Sequence, residues 1–507
     1  MDTPSPIDPY DVEPPEAGPG ATARPVPAAV VEPDPKPPDA TREPPTSLGR
    51  ALRQIGPGLI LAGSIVGTGE LIATTGLGAS HGYVLLWFIL LSCVIKVFIQ
   101  TELGRYAIVH GKTTLAAFDS LPGPRLGTSW MGWLWLAMML TTQAQIAAME
   151  GLVGQAAHMA FPGGSARVAG WAGGIVPAWG PFLVEHPEHF WATMTALAAI
   201  VLLLSGGYRR LERVTTALVA LVTLMTLACV LGLPWTDYPV RWEEVRHGFD
   251  LTLPATGIAL AVSTFGITGV GASELFAYPY WCIEKGYARA AGPRSDDEGW
   301  ARRARGWLKV MQLDAWVSMV VFTVATVAFY LLGAAVLHPQ GLVPQGKTMI
   351  EVLSSMYVRP LGKWTSEVFL IGAWAVLFKT LYVATAANSR LTADFLDLAG
   401  IWRQATPRSR DRTIRAFCVV YPLLSLGLYF AFREPKGLVA VGGYAQAMML
   451  PLIAGATLYL GRRDADRRVA PLFLTEAITW LAFFAISAVA FYSAWHDLIA
   501  PLIRPAP

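Results

Sequence analysis

The sequence predicts an all-α polytopic membrane protein of about eleven spanning helices, built as two inverted repeats of five helices plus one added helix. Three observations predict it: apolar runs long enough to cross a bilayer, a one-sided distribution of Lys and Arg, and two apolar segments broken midway by glycines. Of 507 residues, 53% are hydrophobic and only 15% charged. Soluble globular chains average about 25% charged residues, so this one lacks the polar surface to live in water. The formal net charge of +3 is too small to suggest nucleic acid as a partner; the expected partner is the lipid bilayer. Cys93, Cys229, Cys282 and Cys418 are scattered through apolar runs, with neither metal-ligand spacing nor a disulfide framework.

Residues 1–48 hold 14 prolines, nine acids and three basic residues. Such a stretch cannot bury enough apolar surface to offset its ordering entropy, which predicts a disordered cytoplasmic arm. It has no apolar h-region and so is not read as a secretory signal peptide. Residues 49–462 are expected to form the ten-helix repeat core, and 463–507 the added helix with an external C-terminus.

A spanning helix needs about 20 residues. Apolar runs place the spans near 56–78, 83–105, 130–158, 190–206, 213–234, 256–282, 310–337, 366–390, 415–432, 438–461 and 471–498. The arm and the loops after spans 2, 4, 6, 8 and 10 carry 28 of the 39 Lys and Arg residues; the opposite loops and the C-terminus carry nine. This bias predicts a cytoplasmic N-terminus and an external C-terminus, with a bacterial cytoplasmic membrane as the expected location. The clusters Arg209-Arg210-Arg213, Arg302-Arg303-Arg305 and Arg462-Arg463-Arg467-Arg468 read as cytoplasmic anchors. Residues 291–306, with Trp300 and an Arg run, read as an interfacial segment.

Span 1 contains Gly63-Ser64-Ile65-Val66-Gly67-Thr68-Gly69-Glu70, and span 6 contains Gly266-Ile267-Thr268-Gly269-Val270-Gly271-Ala272-Ser273-Glu274. Each glycine costs about 1 kcal/mol against alanine in a helix interior. Backbone freed from the helix at membrane depth persists only where it lines a cavity or is buried in protein. A charged side chain there costs roughly 2.5–3.5 kcal/mol even on the insertion scale, which makes Glu70 and Glu274 candidate functional residues. The bland alternative is that the glycines allow close helix packing and the acids are paired. Two matched breaks, five helices apart, favour an inverted-repeat transporter with its site at mid-membrane.

At these residues the sequence resembles the Nramp family of divalent-metal transporters, which has the LeuT-type fold. The stretch from Gly56-Pro57-Gly58 to Gly82-Tyr83 keeps the family's spacing. Leu85, Leu86, Trp87, Ser92, Gln100, Arg105 and Gly111 follow where the family has the same residues. Tyr208-Arg209-Arg210-Leu211-Glu212, Leu313-Asp314 and Leu450-Pro451 resemble later landmarks, so the resemblance spans roughly residues 50–460. The departures fall on the site. The family's Asp-Pro-Gly-Asn is here Gly67-Thr68-Gly69-Glu70, and its Met-Pro-His-Asn falls near Ser273-Glu274-Leu275-Phe276. Its acidic pair in helix 3 is reduced to Glu150, beside Gln143 and Gln145. Its polar helix 10 stretch is Gly442-Gly443-Tyr444-Ala445-Gln446. In this the chain is similar to the Nramp-related magnesium transporters.

The expected site therefore joins Glu70 and Glu274 with the hydroxyls of Thr68 and Ser273 and the unwound backbone of Gly67, Gly271 and Ala272. Carboxylates, carbonyls and water suit hard ions, so Mg²⁺ or Mn²⁺ is the expected cargo, with no resident cofactor. Glu150, Lys379 and Gln446 are candidates for coupling or charge pairing. Lys379 would pair with a buried acid or stand in for a co-transported cation; Lys96 would pair internally or snorkel. His81, His158, His186 and His189 read as solvated. With the helix 6 histidine and the helix 3 acid pair depleted, proton coupling is expected to be weak or absent. Two rivals remain. Ser64–Gly69 also looks like the glycine-rich first helix of amino-acid permeases, although Glu70 would repel a substrate carboxylate. An intramembrane enzyme would need a paired acid or a metal motif such as His-Glu-x-x-His, which the chain lacks.

Overall fold

The computed structural model describes residues 41–495, apart from 66, 176–178, 206–207, 255–256, 405, 465 and 472. Most of the expected arm, residues 1–40, and the stretch from 496 onward lie outside the described residues.

Each expected span has its helical counterpart. We number them α1 (Pro57–Ile65, continued by a wide π-type turn Thr68–Thr74 and by Thr75–His81), α2 (Leu86–His110), α3 (Trp130–Ala160), α4 (Pro187–Ser205), α5 (Tyr208–Gly232), α6 (Ile258–Ile267, then Ala272–Lys285), α7 (Glu298–Leu332), α8 (Trp364–Leu398), α9 (Pro407–Phe432), α10 (Pro435–Arg463) and α11 (Phe473–Ala494). Among the described residues, nine of these are long and apolar enough to cross a membrane. The other two have physical reasons to fall short. α1 is interrupted, and α3 carries Thr141, Thr142, Gln143, Gln145 and Glu150 in its middle. Short helices fill the loops, with one two-residue antiparallel pair after α2.

The expected interfacial segment 291–306 is not separate. From Glu298 onward it is the first turns of α7, capped by Asp297, whose carboxylate accepts from the Trp300 backbone N–H at 3.1 Å. Trp300 is fully buried rather than lipid-facing. The described end of the arm lies against this extension: Trp307 Nε1 donates to the Arg42 carbonyl at 2.9 Å, and Arg302 pairs with Glu43 at 3.1 Å. Arg42, Glu43 and Pro44, near the end of the arm, thus lie against α7.

Loops that the Lys/Arg bias sorted together also meet in space. At one end, Arg294 pairs with Asp466, Tyr106 donates to Asp464, and Arg463 donates to the Ser120 carbonyl. These contacts join the regions after α2, α6 and α10. Bonding from the Arg463 guanidinium holds the Asp464 carboxyl down at about 2, and Arg468 does the same for Asp466. Two members of the expected anchor cluster are therefore engaged in loop ion pairs; Arg462 pairs with Glu476 on α11. The side chains of Arg209, Arg210 and Arg213 lie outside the described residues. At the other end, Gln155 donates to the Gly346 carbonyl, and Arg433 lies 3.4 Å from His186. These contacts join the regions after α3, α7 and α9.

Both breaks fall where the glycines predicted them, but the glycines divide the work. Gly269 holds a left-handed backbone (φ +65°), which a side chain would strain. Gly266 serves close packing: a methyl there would run into the α10 backbone at Gly443 and Ala447. Carbonyls released by the α6 break are taken up by α2. Lys96 Nζ donates to Phe265 O and Thr268 O, each at 2.6 Å, and Ser92 Oγ donates to the same two at 3.1 and 3.3 Å. In α1, Thr74 and Thr75 hydroxyls donate to the Gly69 and Glu70 carbonyls across the wide turn. Thr74 also meets Thr268 at 3.2 Å, so the two breaks touch.

Two outcomes follow from this architecture. With all four native cysteines buried, Lys363→Cys should react with a membrane-impermeant thiol reagent on intact cells and Arg403→Cys should not; equal labelling would reject the assigned orientation. Lys96→Met strips a donor from two buried carbonyls. It should lower unfolding stability in detergent by about 1–3 kcal/mol, read as a drop in thermal midpoint.

Candidate functional site

A cavity of about 60 Å³ lies where α1, α3, α6, α8 and α10 converge. One water occupies about 30 Å³ of liquid, so there is room for an ion with one or two waters. Its polar lining comes from Thr142 and Gln145 on α3, Ser273 and Glu274 on α6, Thr380 and Asn388 on α8, and Gln446 on α10. Ile65, Ile267, Ala277, Trp281 and neighbouring aliphatics complete the wall, together with the thioether-bearing Met149.

Glu274 opens the second half of α6 and borders this cavity directly. The space beside Gly271 is ringed by oxygen. The position a Cβ would take there lies 2.5 Å from Glu274 Oε2, 2.8 Å from Gln446 Oε1 and 3.2 Å from the Gly266 carbonyl. Glycine keeps that cradle open. Gln446 is fixed in it by both ends of its amide: Oε1 accepts from the Ser273 backbone N–H at 3.0 Å, and Nε2 donates to Gln145 Oε1 at 2.6 Å. Ser273 thus contributes its backbone N–H as well as its place in the lining. Ala272, fully buried, begins the helix that carries Glu274.

Glu70 meets the α6 break from its other side. It is fully buried and is not among the residues lining the cavity. Its Oε1 accepts from Thr326 Oγ1 of α7 at 2.9 Å and from the Gly269 N–H at 3.4 Å, while Oε2 has no hydrogen-bond partner. The two acids expected to share one site therefore approach the break at different points, Glu70 at Gly269 and Glu274 at Gly271. Gly67 brings the α1 break against Thr380, which a methyl would strike. Thr68 begins the wide turn, and its side chain lies outside the described residues.

The remaining candidates separate. Lys379 donates to Thr216 on α5 at 3.0 Å and lies against Gly63 of α1. Glu150 is buried in α3 away from the cavity lining, and neither carboxyl oxygen has a hydrogen-bond partner. Lys96, expected to pair internally or to snorkel, instead holds the α6 carbonyls, with its ammonium 5.0 Å from the Phe265 ring. Thr142, Thr380, Asn388, Thr326 and Met149 were not among the candidates. The first four are polar residues inside apolar spans, which is a usable signal. Met149 is one of 14 methionines, and nothing in its local pattern marks it.

A family model described as "Natural resistance-associated macrophage protein-like" (Nramp) matches residues 58–496. Two similar relatives are the divalent metal cation transporters MntH of Acidiphilium cryptum and of Caldanaerobacter subterraneus subsp. tengcongensis. The first is 26% identical over 432 residues, covering 80% of this chain and 88% of that one. The second is 25% identical over 355 residues, covering 69% and 73%. Crystal structures of mutant manganese transporters from Eremococcus coleocola share the fold, with a TM-score of 0.60 over 92% of each chain at 14% identity. Two broken helices flanking a central cavity, on a chain matched from α1 to α11, lead to one conclusion: this protein belongs to the Nramp family of membrane transporters and is not an enzyme.

Proposed function

We propose that the chain carries a hard divalent cation, Mg²⁺ or Mn²⁺, across a bacterial cytoplasmic membrane by alternating access, with its N-terminus inside. The oxygen cradle beside Gly271 carries this reading. A carboxylate, an amide oxygen and a main-chain carbonyl face one small space at a helix break. Hard cations prefer oxygen ligands, and Mg²⁺ usually keeps several waters while binding one or two carboxylates. Glu274 is the direct ligand in this reading. Glu70 meets the same break from its other side, at the Gly269 N–H. The names of the relatives, divalent metal cation transporters, agree with this cargo.

Met149 qualifies the choice of ion. Its side chain carries a thioether, and the residue lines the cavity. Sulfur favours Mn²⁺ over Mg²⁺, so Met149 is the residue through which the chain would discriminate between them. Proton entry is not required in this scheme. Among the lining residues Glu274 is the one acid and there is no histidine, so a relay of titrating groups is short of members.

Three measurements in proteoliposomes test the scheme. Glu274→Gln, at matched expression and thermal midpoint, should cut Mg²⁺ and Mn²⁺ uptake by roughly tenfold or more, since even indirect partners of a metal often cost that much. Unchanged uptake of both ions would remove Glu274 from the site, and uptake of a labelled amino acid in place of metal would favour the permease reading. Met149→Leu should depress Mn²⁺ uptake more than Mg²⁺ uptake. Internal pH, followed while a metal gradient drives transport, should stay flat; acidification in step with metal entry would mean that Glu150 or another acid relays protons after all.

A further inference from the structure

A second set of metal-binding side chains gathers at the start of α4, at the end of the molecule shared by the loops after α3, α7 and α9. His186 and His189, which read as solvated in the sequence, are buried, with exposures of 7% and 2%, and Glu188 lies between them in the chain at 7%. Pro187 opens the helix; His186 immediately precedes it, and Glu188 and His189 lie in its first turn. Glu188 Oε1 lies 3.7 Å from His186 Nδ1 and 3.4 Å from His189 Nδ1. One donor atom from each of the three falls within 4.8 Å of the others.

Their hydrogen bonding is unfinished. His186 Nδ1 and both ring nitrogens of His189 are buried without a hydrogen-bond partner. A neutral imidazole carries one N–H donor and one acceptor, and burying them unpaired is unfavourable. Aromatic stacking accounts for the rings but not for the nitrogens: Phe430 and Tyr429 lie 4.8 and 5.3 Å from the His189 ring. The Arg433 guanidinium meets His186 at Nε2, 3.4 Å away, and leaves Nδ1 facing Glu188.

From these distances we propose that His186, Glu188 and His189 bind a transition-metal ion of the Zn²⁺ class, distinct from the cargo at the central cavity. Ligand atoms around a tetrahedral Zn²⁺, each about 2.0–2.2 Å from the metal, lie roughly 3.3–3.6 Å apart. The spacings on either side of Glu188 Oε1 are close to that. Imidazole suits Zn²⁺, Co²⁺ and their neighbours, whereas Mg²⁺ calls for octahedral oxygen, so the selectivity is opposite to that of the Gly271 cradle. Glu185, 74% exposed, lies 3.8 Å from His186 Nε2, on the side of the ring turned away from Glu188. Lys347 and Arg433 border the site, and Glu185 and Glu188 balance them. A bound ion pins the start of α4 beside the end of α9.

The test uses the full-length protein in detergent, stripped with chelator and titrated with Co²⁺ alone. Wild type should take up about one Co²⁺ per chain with the strong visible bands of tetrahedral coordination. Zn²⁺ should displace it and excess Mg²⁺ should not. Glu274→Gln should keep the bands. His186→Gln/His189→Gln should lose them while its metal-free thermal midpoint matches wild type. Glu188→Gln, which preserves size and helix, should weaken Zn²⁺ binding by roughly tenfold or more and guards against misfolding of the double variant. Absence of tetrahedral bands in wild type, or their persistence in the double variant, overturns the proposal.

Discussion

The ammonium of Lys96, seated on two carbonyls of the α6 break, is the interaction on which the centre of this protein depends. A helix opened in the middle of a bilayer releases carbonyls that water cannot reach, and each costs several kcal/mol if left alone. Lys96 and Ser92 supply the missing donors from α2. Glu70 and Glu274 meet the same break at Gly269 and Gly271, so two acids and a lysine gather around one unwound backbone.

The two repeats supply this support crosswise. α2, next to α1, holds the α6 break. α7, next to α6, holds α1: Thr326 donates to Glu70, and Asp314 accepts from the backbone N–H groups of Gly56 and Gly58 at 2.8 and 2.5 Å. Each broken helix is therefore tied to the first unbroken helix of the other repeat. A lone break would need its own cavity or buried partner, whereas here each repeat satisfies the backbone that the other leaves open. Thr74 and Thr268, in contact across the two breaks, close the arrangement.

The cavity itself combines a rigid and an apolar side. Gln446 is locked by Ser273 and Gln145, so its oxygen is presented without side-chain freedom. Leu61, Ile65, Val383 and Ala384 line the opposite portion and limit how many waters fit. A dry wall beside fixed oxygens strengthens the pull on a cation, because the local dielectric is low.

The sequence by itself determined the membrane class, the eleven spans, the two ends and the two breaks. Those properties rest on local apolar length, on charge placement and on glycine in otherwise helical runs, all of which can be read one segment at a time. It also nominated Glu274, Gly271 and Ser273, and the structure places all three at the central cavity or its cradle. Only the tertiary structure decided which groups share a space. Glu70 and Glu274 look equivalent in sequence, each directly after a glycine break, yet helix rotation turns one toward Thr326 and the other toward Gln446. Lys96 lies 169 residues from Phe265, and no local pattern could pair them. His186 and His189 look like loop histidines until α9 covers them. The reason is the same in each case. Periodicity and composition report the state of a segment, whereas a site is a property of neighbours far apart in the chain, fixed by the packing of helices against one another.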